Sequence, residues 1–135
     1  MISTLLIHAE IFKDIKICCD KKKWYPSLDK EMPGVCLLLL QDGKMPGETP
    51  IKKLKIKELQ NKTFHAGINL PKESVSKRNG ARIVYIKENI NTIKIIYLGG
   101  HKDKKRYNNM YCLVELIKER YLSDIYKEYR EDLEF

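Results

Sequence analysis

The stretch from Lys77 to Tyr107, KRNGARIVYIKENINTIKIIYLGGHKDKKRY, constrains the fold most tightly. It holds two apolar segments, Ala81 to Ile86 and Thr92 to Leu98, rich in the Ile, Val and Tyr that suit a pleated, half-buried surface. Between them, Glu88-Asn89-Ile90-Asn91 predicts a hairpin connection, because Asn tolerates turn backbone. In a hairpin the start of one strand lies beside the end of the other. Arg82, at the start of the first strand, is therefore expected to neighbour the cluster that ends the second: Gly99-Gly100-His101, then Lys102, Lys104, Lys105, Arg106 and Tyr107. A guanidinium on a rigid strand beside an imidazole and several ammoniums is suited to hold an anion. An ordinary edge hairpin with solvated basic ends has the same signature, and the residues leave both readings open.

The charge balance supports an anionic partner. The chain has 135 residues, the size of one domain with a real core, and a formal net charge of +8. From Leu113 onward there are seven acids against four bases, a tail of −3 that leaves +11 on residues 1–112. Such a field attracts nucleic acid, an anionic membrane or an acidic protein. The longest apolar run, Val35 to Leu40, is too short to span a bilayer, and MISTLLIHAE has no basic leader, so a cytoplasmic protein without membrane attachment is expected. The cysteines, Cys18, Cys19, Cys36 and Cys112, contain no Cys-x-x-Cys pair and read as reduced packing residues. Neither they nor any Asp/Glu cluster suggests a bound metal, and no cofactor is expected.

Along the chain, Ile2 to Ile7 reads as an opening strand. Ala9 to Lys23 has helical spacing at Ile11, Phe12, Ile15 and Cys18 or Cys19. Pro26-Ser27 suits the start of a second helix carrying Leu28, Met32, Val35, Cys36, Leu39 and Leu40, with Pro33-Gly34 expected to kink or delay it. The two helices are expected on one face of a sheet. Leu54 and Ile56 alternate with Lys53, Lys55 and Lys57, a strand pattern with one basic face. Thr63 to Leu70 alternates again, with His65, Gly67 and Asn69 opposite the apolar set. Pro71 to Asn79 is a polar loop with Lys77 and Arg78. Met110 to the C-terminus predicts one long helix, with a stripe at Leu113 or Val114, Ile117, Tyr121, Ile125, Tyr129 and Leu133. The expected fold is α+β: two N-terminal helices on a mainly antiparallel sheet of about four to five strands, forming one domain, with residues 110–135 as a helical extension.

Gly80-Ala81-Arg82-Ile83-Val84-Tyr85, followed by a second strand and the Gly-Gly-His-Lys-Asp cluster, resembles the RelE/HigB/ParE-like toxins of bacterial type II toxin–antitoxin systems. Their pattern is two N-terminal helices, then an antiparallel sheet containing G-x-R-x-x-Y, then a basic strand end. Tyr25-Pro26-Ser27-Leu28 and the Gly43 to Gly47 loop also look like the family, and the resemblance covers roughly residues 1–107. It implies an mRNA endonuclease acting on messenger in the ribosomal A site. By position, Arg82 matches the arginine that contacts the scissile phosphate. His101 falls where relatives place an arginine or histidine, and Tyr107 near a tyrosine that stacks on or orients RNA. His65 falls near lysines that other members use, and there this chain departs, with His-Ala-Gly instead of a lysine pair.

On that reading cleavage needs no metal. A 2′-hydroxyl must lose a proton, phosphorane charge must be stabilised, and the leaving 5′-oxygen must gain a proton. Arg82 suits the second task, His101 the third, and His65 is the candidate base. Lys55, Lys57, Lys77, Arg78, Lys102, Lys104, Lys105 and Arg106 would hold messenger and ribosomal RNA backbone. The implied partners are mRNA, the ribosome and a cognate antitoxin, in a homodimer or a hetero-oligomer with that antitoxin. Rival readings are a gyrase-poisoning relative of the same scaffold and a nucleic-acid-binding regulator; neither requires His65 and His101 to share a face with Arg82.

Overall fold

A computed structural model of the protein describes residues 1–20, 24–71, 73 and 80–135. In chain order the elements are β1 (Thr4–His8), α1 (Ile11–Asp20), α2 (Leu28–Asp42), β2 (Thr49–Pro50), β3 (Thr63–Ile68), β4 (Ala81–Asn89), β5 (Thr92–Gly100), α3 (Met110–Ser123) and β6 (Tyr126–Glu128). The fold is α+β. The strands form one six-stranded sheet in the order β2-β3-β4-β5-β1-β6. All neighbours are antiparallel except β1 and β5.

The hairpin foreseen in the sequence is the middle of this sheet. β4 and β5 turn through Ile90 and Asn91, with Asn89 Oδ1 accepting from the Asn91 amide at 2.9 Å. Both strands are covered on both faces. Ile83, Tyr85, Ile93 and Ile95 pack under α1 and α2; Val84, Ile86, Ile96 and Tyr97 pack under α3. A register shift after Val84 lets Ile96 and Tyr97 share the α3 side. Burying a side chain of this size contributes about 1.5–3 kcal/mol, which makes the doubly covered hairpin the anchor of the fold.

Several expectations are corrected. The sheet has six strands rather than four or five. The opening strand expected at Ile2 to Ile7 is β1, but it lies inside the sheet and pairs parallel with β5, and the two helices α1 and α2 follow it rather than lead the chain. α2 runs unbroken through Pro33-Gly34 from Leu28 to Asp42. The strand expected around Lys53 to Lys57 does not form. Lys53 has φ of 61°, which breaks an extended run, and residues 57–59 make a short 3₁₀ turn. Its apolar anchors are Ile51, Leu54 and Leu59, which all reach the core beneath α3.

The long C-terminal helix also does not form. α3 ends at Ser123, where Asp124 adopts a left-handed φ of 50° and its amide returns to the Arg120 carbonyl. The chain then reverses and adds β6 to the outer edge of β1. That edge would otherwise expose a row of unpaired backbone groups. Tyr129 and Leu133 pack against the α1/α2 core instead of extending a helical stripe.

The inner edge of β5 is closed differently. β1 pairs with β5 only over Thr92 to Ile95. Beyond it, the Leu98 amide donates to Asp14 Oδ2 at 3.1 Å, and the Ile96 carbonyl accepts from Arg120 Nη1 at 3.0 Å. Asp14 is fully buried and also accepts from Arg120 Nη2 and from Arg106 Nη1, each at 2.9 Å. Two side chains from α1 and α3 thus finish the ladder that β1 leaves open.

Candidate active site

Tyr107 is the centre of the site. It lies in the turn between β5 and α3, which is organised by Asp103, itself only 3% exposed. Asp103 accepts from the Tyr97 hydroxyl at 2.8 Å and from Arg106 Nε at 2.6 Å, while its carbonyl accepts the Tyr107 amide at 2.9 Å. This holds the Tyr107 ring stacked on Tyr97, centroids 5.9 Å apart and planes 13° from parallel. Tyr107 is 7% exposed.

The other three residues come from three other places in the chain. His65, on the face of β3 that it shares with Val84, has Nδ1 2.7 Å from the Tyr107 hydroxyl. Arg82 lies between Gly67 on β3 and Gly99 on β5, its register partners. Both glycines give room. A Cβ at Gly67 would sit 2.9 Å from Arg82 Nη1, and one at Gly99 would sit 2.0 Å from the Tyr97 hydroxyl. The Arg82 guanidinium therefore lies across Gly67, and it also bears on the Tyr107 hydroxyl. His101 meets the Tyr107 ring edge-on at 5.1 Å and 89°. Arg82, His65, His101 and Tyr107 thus lie in one neighbourhood.

Hydrogen bonds set the proton positions. Asn108 Nδ2 donates to the His101 carbonyl at 2.6 Å, so its Oδ1, 2.9 Å from His101 Nδ1, is an acceptor. His101 therefore carries a hydrogen on Nδ1 and leaves Nε2 for other chemistry. With its own hydrogen on Nε2, the His65 ring accepts the Tyr107 hydroxyl hydrogen at Nδ1. Burial pushes the His65 imidazole below its ordinary 6.5, and the neighbouring Arg82 and His101 add to that. Burial also raises the Tyr107 phenol, an effect that Arg82 opposes. The result is an imidazole held toward its neutral form beside a phenol from which it can take a proton.

The cleft beside these groups has a volume of about 500 Å³. Its lining includes His65, His101, Tyr107 and Asn108, with Pro50, Ile51, Met110 and Leu113 as its apolar part and Lys52 and Lys53 also lining it. Lys52 and Asn108 were not singled out from the sequence, and Lys53 only as part of an expected strand. Lys52-Lys53 was visible as a basic pair after Pro50, but the strand assigned to that segment hid its place at the cleft.

The basic residues expected to hold RNA divide into groups. Lys57, Lys104 and Lys105 are exposed. Lys55 is paired with Glu115 and lies over the Tyr111 ring at 4.6 Å. Lys102 Nζ donates to the Trp24 carbonyl at 3.0 Å and covers the Tyr25 ring. Arg106 is turned inward, bound to Asp14 and Asp103, and serves the fold. Lys77 and Arg78 lie outside the described residues. Among the described residues no three His, Cys, Asp or Glu side chains are grouped to hold a metal ion, and no helix is long and apolar enough to cross a membrane.

No family model, curated protein or solved structure matches the chain.

Proposed function

We propose that the protein is a RelE-like toxin that inhibits translation by cutting messenger RNA without a metal, on the ribosome, in the cytoplasm. The observation that carries this reading is the gathering of His65 at the Tyr107 hydroxyl, His101 against the Tyr107 ring and Arg82 across Gly67 beside an open cleft. The resemblance in the sequence named those four residues; their meeting at one point is what a phosphate-cleaving centre needs.

The chemistry follows from the geometry. A phosphate seated against the Arg82 guanidinium has its developing charge held by a cation that stays charged throughout. The 2′-hydroxyl proton passes to the Tyr107 oxygen as the phenol proton moves to His65 Nδ1, so the base acts through a relay. The 2′-oxygen then attacks phosphorus. The bond to the 5′-oxygen breaks, and that oxygen takes the Nε2 proton of a doubly protonated His101, which is left as the neutral ring with its remaining hydrogen on Nδ1, held by Asn108. The products are a 2′,3′-cyclic phosphate and a 5′-hydroxyl. Lys52, Lys53, Lys57, Lys104 and Lys105 supply the exposed positive surface for RNA backbone. An acidic antitoxin covering that surface and ordering as it binds is the proposed partner.

Pulse labelling after induction tests the reading. Protein synthesis should stop first, and co-expression of a small acidic protein encoded beside this one should relieve the arrest. If DNA synthesis stops while protein synthesis continues, the gyrase-poisoning alternative replaces it.

A further inference from the structure

We propose that Tyr25 is a positioning residue, whose buried hydroxyl holds the peptide group that orients the His101 ring. The importance of that orientation rests on the reading of the site as a phosphate-cleaving centre; the hydroxyl's hold on His101 does not. Tyr25 lies between α1 and α2 and is fully buried, so it touches no substrate. Its ring belongs to the core under the two helices. Its amide donates to the Cys18 carbonyl at 3.2 Å, and its carbonyl accepts the Leu28 amide at 3.1 Å, so the hydroxyl is delivered from a fixed point. The hydroxyl oxygen accepts from the Lys102 amide at 3.0 Å, and the hydroxyl donates to the Gly80 carbonyl at 3.0 Å. The same carbonyl accepts the His101 amide at 3.2 Å. Gly80 leads into β4 and Arg82, and His101 follows the end of β5, so one hydroxyl ties together the backbone that carries both residues.

The contacts run on to the ring. The Lys102 amide and the His101 carbonyl are the two ends of one planar peptide group. Tyr25 holds the first end, and Asn108 Nδ2 donates to the second at 2.6 Å. Asn108 Oδ1 then accepts from His101 Nδ1 at 2.9 Å, which fixes the rotation and the tautomer of the imidazole. A shift of this one peptide therefore reaches His101 Nε2, the atom that serves the leaving oxygen. Gly100 makes the approach possible. Its φ is 148°, and a Cβ there would fall 2.7 Å from the Tyr25 hydroxyl and against the Gly80 carbonyl. Lys102 closes the junction from the other side, with Nζ donating to the Trp24 carbonyl at 3.0 Å and lying 5.4 Å from the centre of the Tyr25 ring. Burial pushes the Tyr25 phenol up to about 12, so it keeps its hydrogen for Gly80 across neutral pH.

Tyr25→Phe keeps the ring and removes the hydroxyl, and two readouts test it. Nuclear magnetic resonance of the labelled imidazole nitrogens should show neutral His101 with its hydrogen on Nδ1 in the wild type and a mixture of both tautomers in Tyr25→Phe. Single-turnover cleavage on programmed ribosomes should slow by about tenfold or more in Tyr25→Phe, while ribosome affinity changes by less than about twofold. In a His101→Ala background the same substitution should cost about twofold or less, because the residue through which it acts is gone. An equal loss in both backgrounds, or a His101 ring that keeps its Nδ1 hydrogen in Tyr25→Phe, overturns the proposal. If Tyr25→Phe does not fold, hydrogen exchange of the wild type decides: a slowly exchanging Lys102 amide supports the anchor, and one that exchanges as fast as an unstructured chain overturns it. A wild-type protein that never cuts RNA, with a His101 ring that is still released by Tyr25→Phe, removes the phosphate-cleaving reading and leaves the positioning role of Tyr25 standing.

Discussion

The Tyr107 hydroxyl lies 2.7 Å from His65 Nδ1, joining the turn after β5 to the face of β3 that His65 shares with Val84. The two residues are 42 positions apart in the chain. Their contact depends on Asp103, which fixes the turn, and on Tyr97, which supports the ring.

Tyr107→Phe removes the relay and keeps the stack. The ring still lies on Tyr97, so stability should fall by only about 1 kcal/mol, the net worth of one hydrogen bond. Cleavage should fall by about 10²-fold or more, in the range for loss of a proton-transfer group. Urea unfolding and single-turnover cleavage measured on the same preparation separate the two effects.

Gly67→Ala should displace Arg82 without harming the fold. The added methyl group would meet the far end of a long side chain, 2.9 Å from Arg82 Nη1, which can swing aside. The urea midpoint should stay close to wild type while cleavage drops by about tenfold or more, because a misplaced guanidinium no longer faces the phosphate. Gly99→Ala is the contrast. Its methyl would fall 2.0 Å from the Tyr97 hydroxyl, which is held between Asp103 and the Gly100 amide, so both stability and cleavage should suffer.

Arg120→Met should be among the most destabilising single changes. It leaves the buried Asp14 carboxylate without its two-pronged partner and the Ile96 carbonyl without a donor. Breaking a buried pair by removing one member costs about 3–5 kcal/mol. Denaturant unfolding reads the loss directly; a cost below about 1 kcal/mol would show that the edge of β5 does not need this closure.

Stability should decline on acidification through His8 and His65. The Glu10 amide donates to His8 Nδ1 at 3.1 Å, so Nε2 holds the hydrogen and donates to Ser123 Oγ at 2.8 Å. Adding a proton to Nδ1 breaks the first bond and brings a charge near Arg120. Burial is the main cause that holds the folded His8 below the ordinary 6.5, with Arg120 next, and burial does the same for His65. The unfolded chain therefore takes up these protons first. Their contribution is complete above 6.5 and is lost as pH falls through the lower folded values. Urea midpoints from about pH 8 to pH 5 should fall for wild type and fall less for a His8→Gln, His65→Gln double variant.

The hairpin, and with it the closeness of Arg82 to the end of β5, was legible because its signal is local. Two unbroken apolar runs around Asn-rich turn residues define β4 and β5, and pairing alone then brings Arg82 to the end of β5. The rest depended on contacts that spacing does not encode. Tyr121, Ile125, Tyr129 and Leu133 recur every four residues, which suits a helix and, being even, a strand equally well. The open edge of β1 decided for β6. Lys53 to Lys57 alternated over too few residues to outweigh Ile51, Leu54 and Leu59, which pull that segment into the core. Arg106 sat in a basic run that reads as solvated, yet Asp14, 92 positions away, turns it inward.

The central claim is that Arg82 and His101 act on one phosphate, and single-turnover cleavage of messenger on programmed ribosomes tests it most directly. Arg82→Ala should slow cleavage severely, and Arg82→Lys should recover only part, because an ammonium lacks the two-pronged grip. His101→Ala should cost about 10²- to 10⁴-fold in rate while ribosome affinity changes little, since its work is in the chemical step. If His101→Ala cuts at the wild-type rate, or if the wild-type protein arrests growth and never cuts RNA, the catalytic assignment is contradicted and a non-catalytic toxin takes its place.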